Sequence, residues 1–150
     1  MNELGNNIKE ILLLDFEKKF NKDNFFIVDI KIYRNLKKIL IIVDGLRELS
    51  IDDCVTINRY LRENNSLLDE YDLEVSTPGI GSKIIDIRQL YKRQGKMFSI
   101  DVDGQIKRGI LKEIKGDMLF FEINEKKGER NVMSILFNKD KNIIKEVIMF

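Results

Sequence analysis

Leu73-Glu74-Val75-Ser76-Thr77-Pro78-Gly79-Ile80-Gly81 lies about halfway along a chain of 150 residues and divides it. Before the proline, Tyr71, Leu73 and Val75 alternate with Asp72, Glu74 and Ser76, the period-two pattern of a strand with one face buried. Pro78, the sole proline, fixes its own φ and holds Thr77 extended, while Gly79 is free to take a positive φ without a Cβ clash. The strand therefore ends in a rigid turn. Gly81 and Ser82 beyond it make this stretch the expected junction between two domains, residues 1–83 and residues 84–150.

Upstream, Leu4, Ile8, Ile11, Leu12, Phe16 and Phe20 recur at three- and four-residue spacing, which predicts an amphipathic helix from Leu4 to Lys19. Phe25 to Tyr33 reads as a first strand with Phe26, Val28, Ile30 and Ile32 on one face, and Ile39 to Val43 as a second. So continuous an apolar run suits a central strand covered on both faces or nearly so. Ser50-Ile51-Asp52-Asp53 opens a second helix: Ser50 and Asp53 have capping-box spacing, either Ser50 or Asp52 serves as the cap, and the carboxylates suit the helix macrodipole. Val55, Leu61 and Leu68, with Cys54 and Ile57, form its expected buried stripe. The order is α-β-β-α-β, with a right-handed crossover if the last two strands run parallel.

Downstream, Asp86 to Gln94 predicts a short helix with Leu90 and Tyr91 inward and Gly95 as its stop. Five strands then follow at near-regular spacing: Met97 to Val102, Ile106 to Ile114, Met118 to Ile123, Val132 to Phe137, and Ile143 to Phe150. Asp103-Gly104 and Gly116-Asp117 fit tight hairpins, and Glu125-Lys126-Lys127-Gly128 a four-residue loop. Five strands in so short a segment imply a small barrel or strongly bent sheet, because closure removes exposed edges. The expected class is α+β, an N-terminal α-β-β-α-β domain followed by a small β-barrel.

Composition excludes several chemistries. There is no histidine, and Cys54 is the single cysteine, so imidazole catalysis, an internal disulfide and a Cys-rich zinc site are all removed. The longest apolar run, Ile39 to Val43, falls far short of the roughly 20 residues of a membrane span, and the N-terminus lacks a basic signal-peptide region. A soluble, cytoplasmic protein is expected. Residues 1–83 carry 12 Lys+Arg against 15 Asp+Glu, a net −3, whereas residues 84–150 carry 14 against 10, a net +4. That asymmetry suggests different partners for the two halves, nucleic acid among them for the basic one.

Asp52-Asp53-Cys54 at a helix start, with Leu73-Glu74-Val75-Ser76-Thr77-Pro78-Gly79 about twenty residues later, resembles the signature of the ribosome maturation factor RimP family. The resemblance implies an α/β N-terminal domain and a C-terminal SH3-like (Sm-like) barrel. It also implies a non-catalytic protein, without cofactor, that binds the immature small (30S) ribosomal subunit, including a basic ribosomal protein, and assists its assembly. One departure stands out: where the family continues with a hydrophobic residue and Asp-Arg-Pro-Leu, this chain has Ile80-Gly81-Ser82-Lys83-Ile84, which predicts a more flexible junction.

The candidate sites follow from charge and from this resemblance. Asp52, Asp53, Asp72 and Glu74, with Asp69 and Glu70 nearby, form the expected acidic face for a basic ribosomal protein, and Ser76, Thr77, Pro78 and Gly79 extend it. Lys107, Arg108, Lys126, Lys127 and Arg130, with Lys112 and Lys115, are the expected contacts to ribosomal RNA backbone. Interleaved carboxylates and core-like aromatic spacing predict weak sequence preference. A hard-cation site on Asp44, Asp52, Asp53 and Glu74 lacks any spacing motif, so helix capping is the favoured role of Asp52 and Asp53 and no metal is expected. Cys54 reads as a small buried residue rather than a reactive thiol. The chain is expected to act as a monomer off the membrane; the rival reading is a general RNA-binding regulator contacting RNA backbone through the basic barrel.

Overall fold

A computed structural model describes residues 3–123 and 131–148. The chain packs as two compact units, residues 1–78 and 79–150, each with its own core.

The first unit runs α1 (Glu3–Phe20), β1 (Phe25–Tyr33), β2 (Lys38–Gly45), α2 (Ile51–Asn64) and β3 (Asp72–Ser76). Ile8, Leu12, Phe16 and Phe20 are all buried, one row at four-residue spacing, so α1 lays a single stripe on the sheet, and Ile11, expected in that stripe, lies off the row and is exposed. The sheet order is β1-β2-β3, with β1 antiparallel and β3 parallel to β2. The apolar run of β2 is central, as its composition indicates: Ile39, Ile41 and Val43 are fully buried against α1 and α2. Burying each such side chain contributes at most about 1.5–3 kcal/mol. A parallel neighbour requires a crossover, and α2 supplies it.

Packing departs from the sequence expectation in β1 and α2 as well. In β1 the register slips between Ile27 and Asp29: Ile27 lies opposite Val43, Asp29 opposite Ile42, and Val28 is the extra residue of a bulge. The bulge exchanges faces, so Phe25, Ile27, Ile30 and Ile32 join the helix-covered core, and Phe26 and Val28 do not continue its face as strict alternation predicts. In α2 the buried residues are Ile57 and Leu61, whereas Val55 is about half exposed; Leu68 is buried, but from a 3₁₀ turn (Ser66–Leu68) beyond the helix. Val55 lies two residues before Ile57, roughly 200° around the helix, so it faces away from the core that Ile57 and Leu61 enter.

The second unit begins with a turn in which Ser82 donates to the Gly79 carbonyl from both its N–H, at 3.1 Å, and its Oγ, at 2.7 Å. The positive φ of this turn falls on Gly81, at +75°, and not on Gly79. A 3₁₀ helix (Ile87–Arg93) follows, with Leu90 buried as expected but Tyr91 exposed and Gln89 inward. Tighter 3₁₀ winding moves the inward position, and the Gln89 Oε1 accepts from the N–H groups of Ile85 and Asp86 at 2.8 and 2.9 Å.

The remaining strands are β4 (Met97–Val102), β5 (Gln105–Lys115), β6 (Met118–Ile123), β7 (Asn131–Leu136) and β8 (Asn142–Glu146). They form an antiparallel sheet in the order β7-β6-β5-β4-β8. Asp103 and Gly104 both have positive φ, +54° and +86°, as a two-residue hairpin of their type requires. The 11-residue β5 is shared: its first half pairs with β4, its second with β6, and a bulge falls between Leu111 and Glu113. Phe98, Ile100, Leu111, Leu119, Phe121 and Ile144 fill the concave side. Among the described residues no ladder joins β7 to β8, so what stands is a bent five-stranded sheet and not a closed barrel. The Glu125–Gly128 loop lies outside the described residues.

Candidate protein-binding groove on the first unit

The start of α2 is organised by Ser50, whose Oγ accepts from the Asp53 N–H at 3.0 Å while the Asp53 Oδ2 accepts from the Ser50 N–H at 2.7 Å. Of the two cap candidates, Ser50 is the one used. Arg47 stacks on the Phe25 ring, 4.5 Å from its centroid, and donates to the Asp53 Oδ2 at 3.1 Å. The Arg47 hydrogen bond, followed by that from the Ser50 backbone, holds the Asp53 carboxyl below the usual carboxylate range. Asp53 is thus committed within its own unit, whereas Asp52 beside it is exposed.

Asp72 and Glu74 come from β3, the sheet edge next to α2. The Asp72 N–H donates to the Lys37 carbonyl at 2.7 Å, so Asp72, Glu74 and Ser76 turn their main-chain groups toward β2. Leu73 and Val75 therefore turn theirs outward. Their side chains join the helix-covered core, leaving Asp72 and Glu74 on the sheet's opposite face. These carboxylates do not stand alone. Glu74 is 2.9 Å from the Lys38 ammonium, Asp72 is 3.8 Å from Arg62, and Glu70 is 3.7 Å from Lys37. The hydrogen bond and charge of Glu74 raise the Lys38 pKa above 10.5. The acidic face is a set of exposed ion pairs, screened by solvent and open to competition from another cation.

Between α2 and β3 runs a groove of about 640 Å³, walled by Ile51, Cys54, Val55, Asn58, Arg59 and Arg62 on the helix and residues 72–75 on the strand. Ile51 is 83% and Val55 48% exposed. The Asn58 Nδ2 donates to the Leu73 carbonyl at 2.8 Å and Arg62 to the Tyr71 carbonyl at 3.1 Å, so α2 covers part of the strand edge. Cys54 is half-buried here, and burial first, then the Asp53 charge, raises its pKa, against a reactive thiolate. Sequence reasoning missed this groove because it assigned Val55 to the core. The available signal was Ile51 and Val55 four apart on a helix whose core needs are met by Ile57 and Leu61.

The remaining sequence candidates are scattered. Ser76 ends β3, and Thr77, Pro78 and Gly79 follow it along the exposed connection. Lys107 and Arg108 are adjacent on β5, opposite Ile100 and Ser99, so their side chains leave opposite faces and do not make one patch. Lys112 pairs with Glu122 at 3.5 Å and Lys115 with Glu113 at 3.7 Å. Lys126, Lys127 and Arg130 lie outside the described residues. Among the described residues no three His, Cys, Asp or Glu side chains gather as a metal site, and no helix is long and apolar enough to cross a membrane.

Residues 16–81 match the family model described as the RimP N-terminal domain. A protein of Flavobacterium psychrophilum named "Ribosome maturation factor RimP" is 31% identical over 93 residues, 61% of this chain and 59% of that protein. A protein of Chlorobium phaeovibrioides with the same name is 30% identical over 105 residues, 65% of this chain and 59% of that protein. The match thus spans a little under three fifths of either relative's length. The resemblance to the ribosome maturation factor RimP family stands on residues 16–81, the stretch that holds β1, β2, α2, β3 and the Pro78 turn.

Proposed function

We propose that this chain is a non-catalytic ribosome maturation factor that binds the immature small (30S) ribosomal subunit and assists its assembly. The observation that carries this reading is the match of residues 16–81 to the RimP N-terminal domain, joined by relatives whose names state ribosome maturation. The first unit meets a basic ribosomal protein through Asp52, Asp72 and Glu74, and a partner's cations displace the exposed ion pairs of Asp72 and Glu74 at little cost. Asp53 acts by holding α2 in place, and Ser76 to Gly79 border the contact. Within the second unit, residues 84–150 form an SH3-like domain; the shared, bulged β5 supports that assignment. The protein works in the cytoplasm as a monomer without cofactor.

Co-sedimentation with free small subunits, mature subunits and whole ribosomes tests this. Binding confined to free or immature small subunits is the expected result. Equal binding to any RNA, vanishing with salt, would instead favour a general RNA-binding regulator. The exposure of Arg108 on β5 gives that second reading its foothold, but the pairing of Lys112 and Lys115 with carboxylates weakens it.

A further inference from the structure

We infer that the outer edge of β3 accepts an extended peptide as an added strand, and that the peptide alternates basic with apolar side chains. This deepens the reading of the first unit as a docking surface for a basic ribosomal protein and rests on it. The sheet ends at β3, and strand alternation turns the N–H and C=O groups of Leu73 and Val75 away from β2. Among the described residues α2 covers the Tyr71 and Leu73 carbonyls, through Arg62 and Asn58, and leaves the Leu73 and Val75 N–H groups and the Val75 carbonyl directed into the groove. An edge presenting main-chain donors and acceptors is complementary to another strand's main chain, the basis of recognition by strand addition.

The two faces of that strand then set its side chains. On the helix side an incoming residue meets Ile51, Val55 and Cys54 beside Leu73 and Val75, an apolar wall, and exposed side chains as large as Ile51 and Val55 gain by being covered. Arg59 and Arg62 on the same wall repel a cation placed there. On the opposite face the neighbours are Asp72 and Glu74, two residues apart on one strand and 81% and 51% exposed in their side chains. Lysine or arginine at alternate positions meets them directly. Charge complementarity and register therefore specify a basic–apolar repeat and disfavour the same residues in blocks.

The probe is a fluorescein-labelled ten-residue peptide alternating Lys and Val, with a control of the same composition in which five Val precede five Lys. Anisotropy with the full chain should show the alternating peptide binding at least tenfold more tightly, with the Leu73 and Val75 amides slowed at least tenfold in hydrogen exchange. Val75→Pro removes an outward N–H without touching the β2 ladder, a placement proline tolerates on an edge strand, and should weaken binding at least tenfold. Val55→Glu alters only the groove wall and should do the same, deciding the matter if the proline variant fails to fold. Equal binding of the two peptides, or undiminished binding by folded Val55→Glu, overturns the inference. Co-sedimentation separates the two ideas. Wild-type protein that pellets with small subunits but discriminates neither peptide retains the maturation role and loses strand addition. Wild-type protein that discriminates the peptides but ignores subunits does the reverse.

Discussion

Asp53, expected from the sequence on the acidic surface, is half of the α2 capping box, and its replacement should reveal that structural role. Asp53→Ala removes the acceptor for the Ser50 N–H, the bond from Arg47 and one carboxylate in the first helical turn. Loss of a cap interaction costs about 1 kcal/mol, loss of the macrodipole contact about 0.3–1, and loss of the partly exposed Arg47 pair about 0–1. Together these come to about 1.3–3 kcal/mol. Urea unfolding followed by circular dichroism at 222 nm is a suitable assay, because both α-helices of the described residues lie in the first unit and the signal reports that unit. The acid dependence is a second check. A carboxyl whose folded pKa lies below its unfolded value, about 3.8, stabilises the fold fully above that value and progressively less as pH falls through the folded pKa. The gap between wild type and Asp53→Ala should thus be full at pH 7 and shrink below pH 3.8. A gap under about 0.3 kcal/mol at pH 7, or one that persists unchanged in acid, refutes the assignment.

Other consequences are as direct. Phe16→Ala empties a fully buried site whose ring lies 5.1 Å from that of Phe20, and should cost about 3–5 kcal/mol by the same assay. Gly109→Val should destabilise the second unit by about 1–3 kcal/mol or more, since even a Cβ there comes within 3.0 Å of Ile123 and Phe121; a neutral result in hydrogen exchange of β5 and β6 would show that the bend relaxes. Charge reversal of the exposed pair, Asp72→Lys with Glu74→Lys, should change stability by less than about 1 kcal/mol and yet weaken co-sedimentation with small subunits, an outcome that normal pelleting of the folded variant would contradict.

Local signals were legible where one residue's chemistry settles one conformation. The Ser50–Asp53 spacing and the Asp103-Gly104 hairpin act within a turn or two and stand as read, and of the α1 stripe Ile8, Leu12, Phe16 and Phe20 are buried while Ile11 is not. Tyr91 and Val55 were misplaced for a common reason: helical spacing offers more apolar positions than the facing sheet can cover. Which of them is buried depends on how the element rotates against its neighbours, and for 87–93 on whether it winds as α or 3₁₀.

The amino-acid sequence by itself determined the α-β-β-α-β order and the run of five strands, because period, caps and turn residues are short-range, and it determined the resemblance carried by residues 52–54 and 73–79. Tertiary structure alone decided the rest. A bulge at Val28 exchanges the faces of β1, since register is a property of a pair of strands. The carboxylates of β3 stand beside Lys38 and Arg62, which are remote in sequence. The groove exists only because β3 ends the sheet beside α2, an arrangement set by which strands pair and invisible in any one of them.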